Sequence, residues 1–139
     1  GTWKAVRDFP WPEPSAGGGP RALWRASVLP ADTAKAMKAV AAAAGEGAEA
    51  AAAASVAAGV LRGWIAAGAP AGLEQALRAA REAVERLGGF LVVLDAPEAV
   101  RERLDVWGRP PGGHEIMQAL KRAFDPRGSL GPGRLVGGI

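Results

Sequence analysis

From Arg21 to Leu94 the hydrophobic pattern alternates between the strand period of about 2 and the helix period of about 3.6, and the switches fall at glycine or proline. Arg21–Leu29 alternates: Trp24, Ala26 and Val28 share one face, and Leu23, Arg25 and Ser27 the other. Pro30 closes that strand. Asp32 or Thr33 can cap a helix over 33–44, with Met37, Val40, Ala41 and Ala44 inward and Gly45 as its stop. Residues 46–58 are rich in alanine, the best helix former, yet Gly45, Gly47 and Gly59 bracket them at a length suited to extended chain. The reading here is a strand over 48–56, turned by Gly59 into a second strand over 60–66. In that second strand Leu61 and Ile65 point one way, Arg62 and Trp64 the other.

A helix over 72–87 follows, with Leu73, Leu77, Val84 and Leu87 as its stripe. Glu74 with Arg78 and Glu82 with Arg86 form favourable pairs four apart, and Gly88 is its stop. Phe90–Leu94 reads as a buried strand ended by Asp95 and Pro97. The order strand, helix, strand, strand, helix, strand predicts an α+β chain of the ferredoxin-like βαββαβ type: an antiparallel sheet with two helices on one face. Arg25, Ser27, Arg62 and Trp64 then fall on the opposite face, a mixture of cations and aromatics suited to an acidic ligand or to a second domain. Arg25 and Arg62 suit a substrate carboxylate, or serve as solvated or interdomain salt-bridging arginines. Trp64 and Trp107 each suit the lining of a cleft or packing under a loop.

Residues 98–104 have the length of one or two helical turns, and 106–113 form a loop. In the last helix Ile116, Met117, Leu120 and Phe124 line one face, while Glu115, Gln118, Lys121 and Arg122 line the other, so it is expected to dock on a surface. Pro126 ends it. Pro132, Gly133, Gly137 and Gly138 give an extended tail whose backbone can pass close to a surface or ligand. His114, the only histidine, opens the helix and reads as an exposed or capping residue; without partners it offers neither a histidine metal site nor a serine triad.

The run Leu120-Lys-Arg-Ala-Phe-Asp-Pro-Arg-Gly-Ser-Leu-Gly-Pro-Gly-Arg134, with Val136-Gly-Gly-Ile139 behind it, resembles the C-terminal signature of FAD-linked oxidases of the vanillyl-alcohol-oxidase type. Within that family it is most similar to the FAD-binding component of bacterial glycolate oxidases. Gly131 stands where the family usually has Asn, so any polar contact of that Asn is missing here. The resemblance is strongest over 107–139 and weaker over 21–94.

It implies a division into a connector over 1–20 from a missing flavin domain, a cap domain over 21–97 and a return segment over 98–139. It also implies FAD as cofactor, held mainly by that absent domain, with Pro132, Gly133 and Arg134 on the cofactor side and Arg25, Arg62 and Trp64 on the substrate side. The implied substrate is a 2-hydroxy acid such as glycolate or D-lactate. The implied partners are the flavin domain of the same polypeptide, a second flavoprotein and an iron–sulfur protein, in the cytoplasm or peripheral to the inner membrane through those partners. Gly1 in place of Met, and the lack of any Gly-rich pyrophosphate loop, suggest the C-terminal part of a larger polypeptide. A free-standing ferredoxin-like domain that binds an acidic small molecule, or self-associates through its open sheet face, is the other reading.

Other classes are poorly supported. The 17 basic residues are interleaved with 14 acidic ones, which argues against nucleic acid despite the net charge of +3. There is no cysteine for a disulfide, an iron–sulfur ligand or a thiol nucleophile. No apolar run reaches the ~18 residues of a membrane span. Trp3 and Phe9, among the prolines of 1–20, are expected to anchor on this domain's core or on a preceding one.

Overall fold

The computed structural model describes residues 19–45 and 47–139, and the reading of 1–18, including Trp3 and Phe9, lies outside them. The elements are β1 (Arg21–Ser27), α1 (Thr33–Ala44), β2 (Ala48–Ser55), β3 (Val60–Ala67), α2 (Pro70–Glu85), β4 (Phe90–Asp95), α3 (Glu98–Arg101) and α4 (His114–Phe124). The four strands form one antiparallel sheet in the order β2-β3-β1-β4, which is the ferredoxin-like arrangement. By contacts the chain divides into two compact units, one ending at Val106 and one spanning Trp107–Ile139.

Helices α1 and α2 cover one face of the sheet, where Trp24, Leu61, Ile65, Leu73, Leu77, Val84 and Leu91 are fully buried. Burial of each such side chain contributes on the order of 1.5–3 kcal/mol. Trp24, the largest, sits opposite Gly63 of β3, and a Cβ at Gly63 would lie 2.7 Å from its ring. The indole therefore occupies the space that a side chain on β3 would need. β2 supplies only alanines to this face, and Ala48, Ala52 and Ala54 pack against the core. Propensity alone favours a helix here, but eight register pairs with β3 hold the segment extended.

Three local details differ from the pattern reading. Ala41 is exposed, and the inward stripe of α1 is Thr33, Ala36, Met37, Val40. In a helix end made of alanines, apolarity does not mark the face. Neither Asp32 nor Thr33 makes a side-chain capping bond: the Asp32 carboxylate accepts from Lys35 Nζ at 2.8 Å, and Thr33 Oγ1 donates back to the Pro30 carbonyl at 2.9 Å. β4 is buried only at Leu91 and Val93, while Phe90 is 54 % exposed. Its continuous apolar run looks like a strand covered on both sides, yet among the described residues helices cover only one face of the sheet.

The two sheet edges are treated differently. On β4, Arg81 Nε donates to the Leu91 carbonyl at 3.2 Å, and the Val93 amide donates to the Val106 carbonyl at 2.8 Å. The register with β1 shifts at Leu23/Trp24, a bulge that sets Leu94 out of the ladder. β2 has no such cover: among the described residues, no backbone hydrogen bond reaches its outer edge.

Candidate functional site

The sheet face opposite the helices gathers the substrate-side residues named from the sequence. Arg25 of β1 and Arg62 of β3 are directly opposite each other in the register, and Leu23 is opposite Trp64 one step along. Opposed residues in an antiparallel pair have Cβ atoms about 5 Å apart. The two guanidinium groups thus spring from neighbouring points on one surface, and both side chains are exposed. Among the described residues, no ion pair or side-chain hydrogen bond engages either one. Opposed like charges cost roughly 0.2–1 kcal/mol in a sheet, and an anion bridging them removes that cost.

The pair's neighbours across the adjoining strands are apolar. Val92 of β4 is opposite Arg25, Phe90 is opposite Ser27, and Ala53 of β2 is opposite Arg62. Trp64 is half-buried, with the Arg21 guanidinium 4.6 Å from its ring centroid. Arg21 thereby screens one side of the indole and adds a third cation to the patch. The sequence pattern supplied the face of each residue. It supplied no register, so the opposition of Arg25 and Arg62 and the stacking of Arg21 on Trp64 were not legible in it.

The cofactor-side residues belong to the second unit. Pro132, Gly133 and Arg134 are exposed in a turn closed by the Arg134 amide donating to the Gly131 carbonyl at 3.2 Å. Gly131 has φ +56° and Gly133 φ +71°, and a Cβ at Gly133 would meet nothing within 4 Å. Arg134 is tethered through its backbone, whose carbonyl accepts from Trp107 Nε1 at 3.1 Å. Trp107 thus holds the tail of its own unit.

Asp125, just past α4, organises that tail. Its carboxylate accepts from the Ser129 amide at 2.9 Å, the Ser129 hydroxyl at 3.1 Å and the Leu130 amide at 2.9 Å, and pairs with Lys121 Nζ at 2.7 Å. The Lys121 ammonium first, and then the two amides, hold its pKa well below the usual carboxylate range. The tail is a succession of turns, and it returns to the start of α4. The His114 ring lies against Gly137, where a Cβ would fall 2.4 Å from it. His114 is therefore half-buried, makes no cap, and approaches Gln118 Nε2 through Nε2 at 3.2 Å. The apolar face of α4 stays uncovered: Ile116, Leu120 and Phe124 are all exposed, Phe124 at 83 %.

Among the described residues, no cluster of His, Asp or Glu could hold a metal ion, and no helix is long and apolar enough to cross a membrane. Comparison with protein-family models, curated proteins and solved structures finds no match.

Proposed function

We infer that this chain is the cap and C-terminal return segment of an FAD-dependent 2-hydroxyacid oxidoreductase similar to the FAD-binding component of glycolate oxidase. The observation that carries the reading is the Arg25–Arg62 couple, opposed in register on the sheet face away from α1 and α2 and engaged by no ion pair or side-chain hydrogen bond among the described residues. A 2-hydroxy acid presents a carboxylate that two adjacent guanidinium groups can hold by charge-assisted hydrogen bonds, and a short aliphatic carbon that Trp64 and Val92 can flank. The role of the pair is to fix the carboxylate so that the carbinol carbon faces away from the sheet.

The tail fits a contact to FAD better than a cradle for it. Arg134 offers an exposed side chain, and a Cβ at Gly133 would meet nothing within 4 Å, so the turn presents an open surface. Gly131 lies in the left-handed region that Asn enters more readily than other side-chain-bearing residues, so the turn suits either residue. Bound flavin would accept the hydride from the substrate carbon. In this reading Arg25 and Arg62 bind and orient the acid, and Arg134 is the residue of the second unit that would hold the cofactor.

The test is the full-length product of the reading frame that contains this chain. A yellow protein whose flavin bands bleach with glycolate or D-lactate is expected. Arg25→Gln and Arg62→Gln should each raise KM by about 10- to 100-fold while leaving kcat nearly unchanged, as for loss of one charge-assisted bond. A product that stays colourless with added FAD refutes the oxidoreductase reading. Saturable binding of glycolate by that colourless product, lost in Arg62→Gln, would point instead to a free-standing acid-binding domain.

A further inference from the structure

The outer edge of β2, which no backbone hydrogen bond reaches among the described residues, is a surface whose partner can be specified. β2 is eight residues long, pairs with β3 without a shift, and contains no proline, lysine or arginine. Long flat edges of this kind present a row of free N–H and C=O groups, and proteins that remain monomeric normally break them with charges, bulges or covering loops. Among the described residues, covering bonds and a bulge are found on β4, while β2 carries a single charge, Glu49, and no bulge or covering loop. An edge left open on one side only can pair with a second copy of itself about a twofold axis and then close.

We propose that the chain forms a homodimer by antiparallel pairing of β2 with β2 of a second copy, making one continuous eight-stranded sheet. Charge selects the register. Glu49 is the only charged residue of β2; it is exposed and engaged by no partner among the described residues. With Ala51 of the two copies opposed on the axis, Glu49 of one copy falls opposite Ala53 of the other. Ala53 in turn is opposite Arg62. Glu49 and Arg62 then stand two strands apart on the same face, about 9.6 Å between backbones, with only a methyl group between them. That span is within the combined reach of an arginine and a glutamate, and the twofold axis makes the contact twice. The same contact offsets part of the repulsion between Arg25 and Arg62. No register near this one opposes Glu49 to its own copy, and alanines elsewhere on β2 leave no bulk to clash. Such an interface is small, so the dimer is weak and concentration-dependent.

The experiment is sedimentation velocity on the full 139-residue chain from about 1 to 500 µM, with circular dichroism to verify folding of each variant. The expected result is a monomer–dimer equilibrium with no larger species, because the β4 edges are closed. Glu49→Lys and Arg62→Glu should each weaken the dimer about tenfold, and the two together should restore it to within about threefold. Ala51→Lys, which opposes two lysines on the axis, should abolish it. A monomer throughout the range overturns the proposal, as does growth beyond the dimer. A dimer indifferent to Glu49→Lys, Arg62→Glu and Ala51→Lys also overturns it, since association would then use another surface.

Discussion

Gly63→Ala should be among the most damaging single-methyl changes in the first unit. A Cβ at Gly63 would fall 2.2 Å from the Ala51 carbonyl oxygen, 2.7 Å from the Trp24 ring and 3.0 Å from the Ala52 Cα. The shortest of these is about 1.2 Å inside the 3.4 Å at which ordinary contact begins. Two of the three neighbours are backbone atoms of β2, so relief requires β2 and β3 to separate. A shift of about 1.2 Å stretches a ~2.9 Å ladder bond to about 4.1 Å, beyond hydrogen bonding. Losing one or two such bonds at about 1 kcal/mol each, with overpacking against Trp24 of about 1–3 kcal/mol, predicts a loss of roughly 3 kcal/mol. That is a large share of the ~5–15 kcal/mol by which domains are stable. The assay is urea unfolding followed by tryptophan fluorescence, with Gly68→Ala as control. A Cβ at Gly68 meets nothing within 4 Å, so that variant should be neutral or up to about 1 kcal/mol more stable. A Gly63→Ala variant within about 1 kcal/mol of wild type would refute the account of the β2–β3 spacing.

Arg81→Ala should cost about 2 kcal/mol, because it strips partners from the Leu91 and Val106 carbonyls, and urea midpoints at constant m-value would register it. Asp125 has a depressed native pKa, so its hold on the Ser129 and Leu130 amides is fully present above the ordinary carboxylate value and is lost only as pH falls well below it. Protection of those amides from hydrogen exchange should therefore persist at about pH 4 and be absent in Asp125→Asn at every pH. Phe124→Ser should change the stability of the chain by less than about 0.5 kcal/mol, since its ring is almost fully exposed; a larger loss in thermal unfolding would contradict that exposure.

What could be read ahead of the structure followed the reach of each signal. Alternation within Arg21–Leu29 placed Trp24 and Arg25 on opposite faces because the strand period is a property of adjacent residues. The Glu74–Arg78 and Glu82–Arg86 pairs were legible for the same reason, and both form, at 2.9 and 3.9 Å. β2 was readable only through its flanking glycines, since its alanines speak for a helix. Features that depend on register or on distant segments were not legible: Arg25 against Arg62, Gly63 under Trp24, and Arg81 reaching Leu91 and Val106. The Asp125 lock does carry a local signal, a carboxylate four residues after Lys121 and four before Ser129.

The bond from Trp107 to the Arg134 carbonyl, together with the seat of Gly137 on His114, has a topological consequence. It brings the first residue of the second unit beside nearly its last, so Trp107–Ile139 is a closed loop of chain. A segment closed in this way can be moved between hosts as a cassette, because its junctions lie together and its internal ties stay within the transplanted piece. It also follows that a protein fused after Ile139 emerges beside the same junction, where a short linker suffices to join it.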